Sequence, residues 1–151
     1  MAGDSPLAGS GGPASGGAAD RVKTGIDLRF GSVTLPQLRA EVLACARLAG
    51  MPEERAGDVV LAVHELAANA IRHGAGEGRL RIWNLSGELR CQVDDGDPLA
   101  PGAADAMSRA LIGSWPDRPG HGLWVVRQVA DQMQILSGPR GTRAIITFAL
   151  P

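Results

Sequence analysis

The sequence predicts an α/β fold, a two-layer α/β sandwich with helices on one face of a mixed, mostly antiparallel sheet. Three observations carry this expectation. Apolar residues alternate with polar ones in five short runs and recur at helical spacing in three longer ones. Along the chain these segments fall in the order β, α, α, β, β, α, β, β, with a long Pro/Gly-rich stretch before the last helix. A length of 151 residues suits one domain with a sizeable core, and no internal repeat is visible.

Residues 1–23 read as a disordered tail. Met1 to Asp20 are almost entirely Ala, Gly, Ser and Pro, too poor in large apolar side chains to offset the entropy of ordering. The folded domain is expected over 24–151. Ile26, Leu28 and Phe30 alternate with Asp27 and Arg29, as in a half-buried strand. Leu35-Pro36 opens a helix, with Pro tolerated in the first turn, and Leu38, Val42, Cys45 and Leu48 keep its apolar face until Gly50. A second helix runs from about Glu53 to about His73, with Val59, Val63, Leu66 and Ala70 as its stripe and Gly74 at its end. Alternating runs around Leu80 and Ile82, then Leu89, Cys91 and Val93, flank Ser86-Gly87 and predict a hairpin. Residues 97–120 leave room for a short helix over 103–112 and are too long for a simple connection, a length usual in functional or mobile loops. Leu123 begins a third helix that ends near Asp131. Gln134 to Leu136 and Ala144 to Leu150 then form two strands joined by Gly138-Pro139-Arg140-Gly141.

Composition narrows the function. Lys+Arg 15 against Asp+Glu 16 leaves a net charge of -1, which disfavours direct electrostatic binding to nucleic acid. Apolar runs such as Val59 to Val63 fall far short of the roughly 20 residues that span a bilayer. No basic patch followed by an apolar stretch marks a secretory leader, so a cytoplasmic location is expected. Cys45 and Cys91 sit inside apolar patterns, as reduced core thiols do.

Three short patterns carry chemistry. Glu65 and Asn69, four apart on the second helix, share a face, where a carboxylate can take a proton and a carboxamide oxygen can ligate Mg²⁺. Asp94-Asp95-Gly96 ends a strand, and a carboxylate there can accept a hydrogen bond from an exocyclic amine such as that of adenine. Gly120-His121-Gly122-Leu123 precedes the third helix, whose N-terminal N–H groups suit phosphate oxygens. A P-loop, a Rossmann fingerprint and a nucleophile elbow are absent, and the histidines and cysteines have no zinc spacing.

Taken in order with Gly141-Thr142, these patterns resemble the Bergerat-type ATP-binding domain of the GHKL superfamily, over about Ile26 to Leu150. Glu65-Leu66-Ala67-Ala68-Asn69-Ala70 and Gly120-His121-Gly122-Leu123-Trp124-Val125-Val126-Arg127-Gln128 look like the stand-alone anti-sigma factor serine/threonine kinases of actinobacteria. The resemblance implies ATP and Mg²⁺ as cofactors, with Asn69 as Mg²⁺ ligand and Glu65 as the base that activates a serine hydroxyl. It implies Asp94 on the adenine amine, Gly96 at the ring, Gly120 and Gly122 at the phosphates and Thr142 at the adenine end. His73, Pro98, His121 and Leu123 join the nucleotide-binding set, and residues 97–119 become an ATP lid. Pro98 departs from the pattern: many relatives carry a second glycine there, and proline stiffens the start of the lid.

The implied function is an anti-sigma factor that phosphorylates a STAS-type antagonist, with the sigma factor and that antagonist as partners. The alternative is a non-catalytic, nucleotide-responsive protein-binding module, which Pro98 favours. A homodimer through the first helix and the open sheet edge is also in keeping with the resemblance. A histidine kinase would need a phosphoacceptor histidine on a dimerising hairpin, which residues 1–20 cannot form.

Overall fold

A computed structural model describes residues 23–74, 76–96 and 122–151. β1 (Lys23–Gly31) leads through a 3-10 turn (Ser32–Thr34) into α1 (Leu35–Leu48) and α2 (Glu53–His73), followed by β2 (Glu77–Leu85) and β3 (Glu88–Gly96). Beyond residue 121 come α3 (Gly122–Val129), β4 (Gln132–Gly138) and β5 (Gly141–Ala149). The expected helix over 103–112 and the lid lie outside the described residues, as does the tail apart from Lys23, which opens β1.

The strands form one sheet in the order β1-β2-β3-β5-β4. All four described pairings are antiparallel, in keeping with the mostly antiparallel sheet expected from the sequence. Two helices separate β1 from β2, so the chain reverses an extra time and β2 returns antiparallel. β3 and β4 do run the same way, but β5 inserts between them and pairs antiparallel with both. The β2–β3 hairpin turns on Ser86 and Gly87, both at positive φ (52° and 78°), the two-residue turn whose twist matches the strands.

The helices cover one face of the sheet. Val59, Val63, Leu66 and Ala70 of α2 are fully buried over Leu80, Ile82, Cys91 and Ile146, as the helical stripe predicts. α1 contributes Leu38, Val42 and Ala46 on one side of α2, and α3 contributes Leu123 and Val126 on the other. α3 is shorter than expected because the N–H of Asp131 donates to Thr147 O at 2.9 Å and so joins the sheet. Arg55 of α2 then ties this junction down. It donates to Val129 O at 2.9 Å and to Asp131 Oδ2 at 3.1 Å, and lies 5.1 Å from the Phe148 ring centre. That clamp fixes α3 against α2, where the candidate site forms.

Candidate functional site

Glu65 projects from α2 toward the first residue of α3. A Cβ on Gly122 would collide with the Glu65 carboxylate, so glycine there is what lets the acid reach the helix start. One turn on, Asn69 is only 3% exposed. Among the described residues its amide nitrogen has no hydrogen-bond partner. An unsatisfied buried amide costs about 1–3 kcal/mol. The sequence pattern suggested a face presented beside the apolar stripe, whereas the Asn69 end of that face is buried.

The end of β3 supplies the second half of the site. Leu89, Cys91 and Val93 lie in the core beneath the helices, so strand alternation puts Asp95 on that side and Asp94 on the other. The Asp95 carboxylate lies against the Cα of Gly74, just past α2, where any side chain would clash with it. Thr142, opposite Asp95 in register and 4% exposed, faces the same way, and its Oγ1 is 3.2 Å from Ser137 Oγ.

Asp94 does not join this group. It faces away from the helices, where Arg143 Nε donates to Oδ1 at 2.6 Å and Gln92 Nε2 donates to Oδ2 at 2.9 Å. The expectation that Asp94 meets the adenine therefore does not fit this geometry. Period two was the missed signal: Leu89, Cys91, Val93 and Asp95 are in phase, and Asp94 is out of phase.

The remaining expected residues divide. Gly96 ends β3 at φ 75° with Arg140 O where a Cβ would stand, so only glycine closes this corner. Leu123 is fully buried in the core, a packing residue that holds α3 down. His73 is exposed in the last turn of α2. Pro98, Gly120 and His121 lie outside the described residues.

Glu65, Asn69, Asp95 and Thr142 are thus polar groups on the helix-covered side of the sheet, with Glu65 at the start of α3. A hard oxygen donor at Asn69 and a helix N-terminus suit a magnesium-bound polyphosphate, and the orphaned Asn69 amide fits a ligand at this point.

The chain belongs to the histidine kinase-like ATPase domain family, which its sequence matches over residues 32–148. The five-stranded sheet with three helices on one face, counted among the described residues, is the GHKL ATPase fold, and this class of domain uses ATP. Among solved structures it is similar to the RsbU and RsbW domains of Rv1364c from Mycobacterium tuberculosis, with 20% identity and a TM-score of 0.59. That likeness covers 83% of this chain and 32% of the other, and it shows a shared fold. Comparison with curated proteins finds no match.

Proposed function

We propose that the chain binds ATP with Mg²⁺ between α2, the ends of β3 and β5, and the start of α3, and is an anti-sigma factor that phosphorylates a serine of a STAS-type antagonist. One observation carries this reading: Glu65 reaches the N-terminus of α3 across Gly122. Free N–H groups and the helix dipole favour phosphate there, so a base stands where the terminal phosphate would lie. Asn69 would hold Mg²⁺, which when bound neutralises phosphate charge. Asp95, rather than Asp94, accepts from the adenine amine, with Thr142 beside it. Glu65 takes the serine proton as the hydroxyl oxygen attacks the terminal phosphorus and ADP leaves. Sigma factor and antagonist are cytoplasmic partners in this reading. No helix among the described residues is long and apolar enough to cross a membrane.

A second reading, a nucleotide-responsive binding module without transfer, draws on Pro98 at the start of the lid. Radiolabelled ATP separates the two. With a panel of STAS-domain proteins from the same organism, the wild type should label a serine on one of them. Glu65→Gln should bind ATP in calorimetry and label none. Undiminished labelling by Glu65→Gln removes that residue as the base, and no ATP binding by the folded wild type ends the nucleotide reading.

A further inference from the structure

Among the described residues no helix packs on the other face of the sheet, and that face is strongly patterned. Strand register directs Arg29 of β1, Arg79 and Arg81 of β2 and Arg143 of β5 outward together. They line a cavity of about 490 Å³ with Asp94 in its wall. Asp94 is 6% exposed and acts as the anchor, accepting from Arg143 at 2.6 Å and from Arg81 at 3.4 Å. Asp27 holds Arg79 through two hydrogen bonds, at 2.8 and 2.7 Å. The guanidinium forks are therefore fixed by acids at their backs, which leaves other N–H groups to face a ligand.

Two donors lack an internal use. Arg81 Nε is buried and has no hydrogen-bond partner among the described residues. Arg29 is exposed and makes no salt bridge among them, its charge acting on Asp27 only at a distance. Four arginines face three acids, Asp27, Glu77 and Asp94, so the pocket carries one excess positive charge. That excess suits a carboxylate and is too small for a phosphate dianion or a nucleic-acid backbone. On the same outward side stand Trp83, Leu85 and Ile145, each half-buried, an apolar margin that nucleic acid would not need.

We propose that this outer sheet face docks an acidic protein segment, one carboxylate of which enters the pocket between Arg29, Arg81 and Arg143 while neighbouring apolar side chains cover Trp83 and Ile145. The surface is separate from the nucleotide site yet back to back with it. Asp94 and Asp95 are adjacent on β3, Arg143 and Thr142 are adjacent on β5, and each pair points to opposite faces.

The test uses the full chain and two short synthetic peptides of alternating glutamate and leucine, one with every glutamate replaced by glutamine. Fluorescence anisotropy should show the glutamate peptide binding at least about tenfold more tightly, with affinity falling as salt rises. Arg29→Glu, at an exposed position with no salt bridge among the described residues, should weaken it about tenfold, with a cooperative thermal transition showing that the fold is kept. Amide shifts in the wild type on adding the glutamate peptide should cluster around Arg29, Arg81 and Arg143. Equal binding of both peptides overturns the proposal, as does unchanged affinity in Arg29→Glu, or shifts confined to the helical face. Tighter binding of inorganic phosphate or a DNA duplex at the same residues would also overturn it, by making the pocket a phosphate site. So would a homodimer that Arg29→Glu converts to monomer and that excludes the peptide, because the occupant would then be a second copy.

Discussion

Exchanging a single oxygen for nitrogen at two adjacent residues should have opposite consequences. Asp95→Asn alters the helix-covered side of β3, and Asp94→Asn alters the outer side. A carboxylate accepting from an adenine amine makes a charge-assisted hydrogen bond worth about 1.5–3 kcal/mol. Its conversion to an amide should therefore weaken nucleotide binding by about 10- to 100-fold. Asp94→Asn should leave that affinity within about twofold and lower stability instead, because Arg143 would lose the negative charge it faces. Removing one partner of a fully buried pair costs about 3–5 kcal/mol. Asp94 and Arg143 have side chains 8% and 16% exposed, and asparagine keeps an acceptor, so a loss below that range is expected, about 2 kcal/mol. In a domain of this size that is a fall of several degrees in the unfolding midpoint. Calorimetry with Mg-ATP and thermal unfolding on both variants measure the two effects separately. The assignment is refuted if Asp94→Asn abolishes nucleotide binding while Asp95→Asn, shown to be folded, binds as the wild type does.

Gly122→Ala should displace the Glu65 carboxylate and lower phosphoryl transfer at least about tenfold with little loss of fold, since alanine is the better helix former; turnover set against ATP affinity checks this. Arg55→Ala removes the bonds to Asp58, Val129 and Asp131 together with the contact over Phe148, and should cost about 2 kcal/mol in urea unfolding. Burial raises the thiols of Cys45 and Cys91 above their ordinary range, so a thiol reagent should react slowly with the native chain and fully after denaturation. The sign follows for stability: as pH rises past the ordinary thiol range the unfolded chain loses protons first, so the stability present at neutral pH declines. Equilibrium unfolding across the alkaline range, compared with a Cys91→Ala variant, should show the decline flattened in the variant.

The sequence by itself determined the order and kind of elements. Val59, Val63, Leu66 and Ala70 specify α2 because their spacing has one solution that buries them together, and Ser86-Gly87 specifies the hairpin through backbone geometry. Glu65 and Asn69 were legible for the same reason, since residues four apart on a helix must share a side. Tertiary structure decided what lay between elements. The strand order placed β5 between β3 and β4 and made every described pairing antiparallel, a choice that local propensity does not encode. The packing of α3 on α2 brought Gly122 to Glu65. Which of two adjacent aspartates faces the helices was written in the strand alternation, but the motif Asp-x-Gly was read without its phase. The outer arginine cluster was invisible along the chain, because Arg29, Arg81 and Arg143 are distant in sequence and only register across strands gathers them around Asp94. Helix and turn patterns arise from neighbours in the chain, whereas a pocket arises from residues that pairing brings together.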